Sequence, residues 1–228
     1  MNHKLRLTSI IKACIFDLDG VIVDTAHYHY LAWKRLADEL GHNLTEEENE
    51  RLKGVSRMHS LEIILELAGI TLNDSHKEML ASKKNGWFVE YVARMLPEEI
   101  FPGVKPLIRE LREHGIKVGL ASSSKNAKTV IRLLQIENEF DAIVDGSMIS
   151  HTKPHPEIFL RTAEKLGVNP ADCVVLEDAE AGVEAALAAG MKCIGIGSAD
   201  LLNKAHKIFA KTAEFNLLTV RELEMADL

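Results

Sequence analysis

The chain has 228 residues, with 27 Lys+Arg against 34 Asp+Glu and a formal net charge of −7. That length holds one or two domains and buries enough surface to fold without a disulfide or metal staple, while a net acidic surface argues against nucleic acid or an anionic membrane as partner. Hydrophobic residues at 46% and charged residues at 27% exclude wholesale disorder.

No apolar run approaches the ~18 residues that a membrane helix requires. The apolar stretch after residues 1–9 is interrupted by Lys12 and runs into Asp17 and Asp19, unlike the core of a signal peptide. Cys14, Cys173 and Cys193 stand far apart in apolar contexts with no CxxC. Buried thiols in a reducing, cytoplasmic compartment are therefore expected.

In chain order, residues 10–16 form a short β-type run that stops at Asp17-Leu18-Asp19-Gly20. Residues 26–96 contain no convincing strand. Trp33, Leu36, Ala37 and Leu40 make one helical face, Thr45 with Glu48 predicts a capping box, and Leu61, Ile64, Leu65 and Ala68 make a third helix ended by Gly69. Leu80, Trp87, Phe88, Tyr91, Val92 and Met95 continue at helical spacing.

After Pro97 and the Pro102-Gly103 turn, strand-like runs at 117–121, 142–144, 173–176 and 192–196 alternate with helical patterns. Helices at 104–111, 156–166 and 179–189 are stopped by Gly115, Gly167 and Gly190. The expectation is an α/β protein: a Rossmann-like parallel-sheet core over 1–25 and 97–228, with an inserted α-helical cap domain over 26–96.

Four polar segments lie just past predicted strands, where ligands bind in open α/β sheets. In the first, Asp17 and Asp19 project to the same side, and their like charges call for a cation. In the second, Ser122, Ser123, Ser124, Lys125 and Asn126 pass from strand to helix as a ready anion site, although no P-loop pattern is present. The third is Lys153 before Pro154. The fourth is Glu177-Asp178 after a Val-rich strand.

Taken singly, each has an ordinary alternative: solvated loop aspartates, a plain helix cap, a surface lysine, acids at a helix start. In conjunction they suit Mg²⁺ held by carboxylates such as Asp17 and Asp178, with a phosphoryl group gripped by Ser122 and Lys153. A carboxylate nucleophile is then in place, with Asp19 placed for acid/base work.

This order of motifs resembles the haloacid dehalogenase superfamily of phosphoryl-transfer enzymes over essentially the whole chain, and the helical insert is similar to its α-helical cap. The resemblance implies that the first strand lies between the Ser-bearing and Glu-Asp-bearing strands. Asp17 would be the nucleophile and Asp19 the general acid/base. Asp17, Glu177, Asp178 and the Asp19 carbonyl would hold Mg²⁺, and Ser122 and Lys153 the transferring phosphate.

Within the superfamily, residues 16–25 up to Thr25, Tyr28-His29 with Ala32-Trp33, 52–57, 120–126 and 176–178 resemble the sugar-phosphate mutases, and the run Lys53-Gly54-Val55-Ser56-Arg57 with the extension Ser124-Lys125-Asn126 carries the distinction from phosphatases of the same fold. The resemblance implies conversion of β-D-glucose 1-phosphate to glucose 6-phosphate through β-glucose 1,6-bisphosphate. Arg57, Ser124, Lys125 and Asn126 would hold the far phosphate, with Lys53, Gly54, His29, Trp33, Lys84 and Ser60 near the sugar.

Thr25, Asp24 and residues 97–101 would be hinges. A small phosphosugar is the expected partner, with no nucleic acid or membrane, and the chain is expected to be a monomer. Two alternatives stay open, a phosphatase of the same fold and a catalytically silent sugar-phosphate sensor. A dinucleotide enzyme fits poorly, because Gly195-Ile196-Gly197 lacks the third glycine of the fingerprint.

Overall fold

The structure, a computed structural model, describes residues 11–225 apart from Gly54. Gly54 and the N-terminal segment therefore lie outside the described residues. Among the described residues six strands form one parallel sheet: β1 (Ala13–Phe16), β2 (Lys117–Ser122), β3 (Ala142–Asp145), β4 (Cys173–Glu177), β5 (Lys192–Ile196) and β6 (Lys207–Phe209). Their order is β3-β2-β1-β4-β5-β6, so β1 stands between β2 and β4 as expected.

The strands alternate between two buried layers, the period-2 arrangement of a sheet covered on both sides. Cys14, Phe16, Val118, Leu120, Val174 and Leu176 pack on one face. Helices α5 (Val104–Glu113), α6 (Ala127–Leu133) and α9 (Leu217–Met225) cover it, through residues such as Ile108, Ile131 and Val220. Ala13, Ile15, Ala121, Val144 and Val175 pack on the other face against Phe159 of α7 (Glu157–Leu166) and Val183 of α8 (Glu180–Ala188). All three cysteines are buried and free, as their apolar contexts predict.

Between β1 and α5 lie α1 (Ala26–Glu39), α2 (Glu46–Glu50), α3 (Arg57–Leu67) and α4 (Asp74–Val92), with no strand among the described residues of this stretch. The Thr45–Glu48 capping box forms: the Glu48 N–H donates to Thr45 Oγ1, and the Thr45 N–H donates to Glu48. The chain leaves and re-enters the sheet region side by side. Val23 bridges Ile100, and the Phe101 N–H donates to the Ile22 carbonyl at 2.9 Å.

Two expectations need adjusting. Strands β2, β3 and β4 each run one residue further than their apolar runs; Ser122 and Glu177 still pair, with Asp145 and Gly195. Both polar side chains are thus held on strand ends rather than on loops. Strand β6 was not expected; it is three partly exposed residues beginning with a lysine, too short and polar to carry a periodic signal.

Glycine at 119 lets α7 sit close on β2. A Cβ there would lie 2.7 Å from Thr162 Cγ2 and 3.1 Å from Leu166 Cδ1. Gly119→Ala is expected to destabilise the fold by about 1–3 kcal/mol through overpacking, measured as a lower urea midpoint with unchanged slope.

Candidate active site

The carboxyl ends of β1, β2 and β4 meet at one edge of the sheet. Asp17, the residue after β1, is fixed there by its N–H, which donates to the Leu176 carbonyl of β4 at 3.0 Å. Its Oδ2 accepts from the Asp19 N–H at 2.9 Å, and its Oδ1 accepts from Lys153 Nζ at 2.5 Å. Lys153 also donates to Glu177 Oε1, while Glu177 Oε2 accepts from the Ala179 N–H at 3.0 Å.

This ion triad is almost completely enclosed, with side-chain exposures of 1% for Lys153, 7% for Asp17 and 1% for Glu177. The Lys153 ammonium also lies 5.1 Å from the centre of the Phe159 ring. Glycine at 182, in the first turn of α8, makes room for the Glu177 carboxylate, which a Cβ would approach to 1.9 Å.

Burial opposes the charge of Lys153, but Asp17 and Glu177 outweigh it and hold the ammonium above its ordinary range. Burial pushes the Asp17 carboxyl up, and Lys153 pulls it partly back. The Asp19 carboxyl is raised by burial and then by the neighbouring Asp17. Asp178 is raised by burial, then by Glu177, Asp17 and Asp19.

Asp17, Asp19, Glu177 and Asp178 thus crowd together, with Lys153 hydrogen-bonded to two of the four. Asp19 Oδ1 is buried with no hydrogen-bond partner among the described residues. Gly20, at φ 75°, packs on Asp178, whose Oδ2 would lie 2.0 Å from a Cβ there. Clustered hard oxygen donors with an unmet buried acceptor fit a small divalent cation such as Mg²⁺. Glu177, expected among the ligands, accepts from Lys153 and from the Ala179 N–H in this arrangement.

At the end of β2, Ser122 is wholly buried, and its Oγ accepts from the Ser124 N–H at 3.2 Å. Ser124 Oγ in turn accepts from the Asn126 N–H at 3.2 Å. The loop closes against Gly146 after β3, where a Cβ would fall 2.1 Å from the Ser123 carbonyl oxygen.

Facing this edge is a cavity of about 520 Å³ between the sheet and the helices α1, α3 and α4. Asp17, Asp19, Asp178, Ser124 and Lys125 line its sheet side. His29, Trp33, Lys53, Arg57, Ser60 and Lys84 line its helical side.

Lys84 is 1% exposed. Its ammonium is 2.7 Å from His29 Nδ1 and 4.4 Å from the centre of the Trp33 ring. His29 stacks on Phe88 with centroids 3.9 Å apart. Burial, then the charges of Lys84 and Arg57, hold the His29 imidazole well below its ordinary value, so it stays neutral and can accept from Lys84. Burial, then Arg57, lowers Lys84 as well. Arg57 is lowered by burial alone.

Not every expected residue reaches the cavity. Ser122, Lys153, Glu177, Thr25 and Asn126 stand behind its lining. Lys153 is turned into the triad because a buried ammonium must be paired. Thr25 is wholly buried at the start of α1, yet its hydroxyl makes no cap bond. Ser60 points its hydroxyl to the Ser56 and Leu52 carbonyls, and Lys53 pairs with Glu50 at 2.8 Å. His27 is exposed, its N–H donating to Asp24.

Asn126 donates to Asn85 Oδ1 of α4 at 2.8 Å, a link from the sheet side to the helical side. Nothing in the sequence marks Asn85. Gly146 carried a faint signal, as the glycine after an Asp at a strand end.

An acid cluster at the switch point of a parallel sheet, with a buried lysine and a facing helical block, defines a phosphoryl-transfer type of site. Residues 11–190 match the haloacid dehalogenase-like hydrolase family, and the chain belongs to that family.

Among its relatives, β-phosphoglucomutase of Bacillus subtilis is 42% identical over 214 residues, covering 93% of this chain and 95% of that protein. A phosphorylated carbohydrates phosphatase of Thermotoga maritima is 35% identical, over 81% of this chain and 84% of that one. The crystal structure of β-phosphoglucomutase from Clostridium difficile superposes with a TM-score of 0.92 at 40% identity, covering 96% of this chain and 99% of that one.

The His29–Lys84 contact has a pH consequence. A folded-state imidazole held below its ordinary value of 6.5 binds fewer protons than the unfolded chain. Its contribution to stability is therefore present above pH 6.5 and is lost as pH falls below it. The difference in Tm between the parent and His29→Gln is expected to shrink from pH 7.5 to pH 5, measured by thermal denaturation of both proteins at each pH. A pH-independent difference would contradict the neutral-acceptor assignment.

Proposed function

We propose that the chain acts as a β-phosphoglucomutase, interconverting β-D-glucose 1-phosphate and glucose 6-phosphate through an aspartyl-phosphate and β-glucose 1,6-bisphosphate. The observation that carries this is the 42% identity to the B. subtilis enzyme along nearly the full length of both chains. The cavity supports it, because cationic Arg57 and Lys125 line the same space as Asp17. A mutase has to hold a bisphosphate at both ends, and an arginine grips a phosphate bidentately.

In this reading Asp17 attacks phosphorus, forming an O–P bond to its carboxylate as the P–O bond to the sugar breaks. Asp19 gives a proton to the departing sugar oxygen and, in the second half, takes one from the hydroxyl that attacks the aspartyl-phosphate. Asp17, Asp178 and the Asp19 carbonyl would hold Mg²⁺, with Glu177 behind them. The ion's chemistry there is to neutralise charge on the transferring phosphoryl oxygens.

Lys153 supplies a second positive charge beside Asp17, and the Ser122–Asn126 loop supplies N–H and hydroxyl donors to a phosphate. Residues 26–96 act as a cap on the core of 1–25 and 97–228. The paired connections at Val23 and Ile100 are where closure would hinge, and closure would exclude water.

A second reading, a sugar-phosphate phosphatase, is favoured by the T. maritima relative at 35% identity. It uses the same core and replaces the attacking sugar hydroxyl with water.

Phosphorus NMR of β-glucose 1-phosphate with Mg²⁺ and a trace of the 1,6-bisphosphate separates the two. Growth of glucose 6-phosphate without matching inorganic phosphate is expected; stoichiometric inorganic phosphate would establish the phosphatase. Asp17→Asn should lose turnover by a factor of at least about 10⁴. Arg57→Ala should lower mutase turnover by about 10²-fold, consistent with losing one positioning contact to the substrate.

A further inference from the structure

The turn between β3 and α7 carries a second group of ligand-type side chains, on either side of Lys153, that the proposed reaction does not use. His151, His155 and Glu157 each offer one ligand atom, and the three atoms lie within 4.8 Å of one another. The two imidazole rings face each other with centroids 4.5 Å apart and planes 31° from parallel. Glu157 Oε2 is 3.1 Å from His151 Nδ1. Both rings are exposed to solvent, whereas the Glu157 side chain is only 12% exposed.

The carboxylate is held ready. Arg161, one turn along α7, donates to Glu157 Oε1 from Nε at 2.8 Å, and its Nη2 lies 2.7 Å from the same oxygen. The N–H groups of Ser150 and His151 donate to Oε2 at 3.1 and 2.8 Å. Those main-chain bonds, with His151 and Arg161, pull the carboxyl down to about 2, so it is ionised at neutral pH. His155 Nδ1 accepts a long 3.3 Å bond from the Glu157 N–H, which a stronger ligand interaction can replace.

We propose that His151, His155 and Glu157 form a surface site for a borderline divalent cation of the Zn²⁺ type, with water completing four-coordination. Two imidazole nitrogens with one carboxylate suit Zn²⁺ and its transition-metal neighbours, not Mg²⁺, which takes oxygen ligands. The ligand atoms need to close to about 3.3 Å from one another around a tetrahedral ion, a ring rotation for exposed histidines. Arg161 is the outer partner that orients the carboxylate.

The location gives the site a consequence. Lys153 lies between His151 and His155, and Ser150 and Thr152 line the cavity. A bound ion would tie the two ends of this turn together and restrain the segment that presents Lys153 to Asp17.

The test is calorimetric titration of Zn²⁺ into the full chain, stripped with chelator and kept in excess Mg²⁺. The parent is compared with His151→Gln and His155→Gln. Binding by the parent at free zinc below about 100 µM, weakened at least tenfold in each variant, is expected. Zinc should also slow amide hydrogen exchange across residues 150–157 in the parent and not in the variants. Both rings are exposed, so each variant should keep the parent's circular dichroism spectrum and Tm, separating lost ligation from lost folding. Zinc binding undiminished in either variant, or no binding by the parent in that range, overturns the assignment.

Discussion

The buried ammonium of Lys153, wedged between Asp17 and Glu177, is the constraint on which the rest of the site depends. It gathers three separate pieces of chain: the end of β1, the turn before α7 and the end of β4. None of these charges is stable alone in the interior, since removing one partner of a buried pair leaves an uncompensated charge at a cost of about 3–5 kcal/mol. The surroundings follow from that demand. Gly182 leaves room for the Glu177 carboxylate, the Ala179 N–H supplies its second oxygen, and Asp17 turns its other oxygen to the Asp19 N–H.

The cavity is electrostatically divided. Acids crowd the sheet side, where burial and mutual repulsion raise Asp17, Asp19 and Asp178 together. Bases crowd the helical side, where Lys84 and His29 are both depressed by burial and by neighbouring positive charge. Such opposed strain is what a bridging ligand relieves, a cation on one side and an anion on the other. The Asn85–Asn126 hydrogen bond links the two sides in this arrangement, and the Val23–Ile100 bridge pairs the two connections between them.

Much of the fold was legible because local rules and tertiary demands agree. Strands covered on both faces show as short Val- and Ile-rich runs, helices stop at Gly115, Gly167 and Gly190 with positive φ, and Thr45 with Glu48 spells out its own cap. Strand β6 escaped, because three partly exposed residues at a sheet edge carry no periodicity. Among the site residues, Asp17, Asp19, Asp178 and Lys125 border the cavity as their motifs suggested. Ser122 and Lys153 stand behind that lining, and Glu177 accepts from Lys153.

The alternation of strand and helix, the helical insert and the placing of polar residues at strand ends are all written in the local sequence. Those features arise from side-chain periodicity and backbone preference within a few residues. Which carboxylate faces which base was decided only by the tertiary structure. Asp17 and Lys153 are 136 positions apart, His29 and Lys84 are 55 apart, and Asn85 and Asn126 are 41 apart. Pairings over such separations leave no periodic trace in the chain, and they form because a buried charge or polar group must find a partner once the sheet has closed around it.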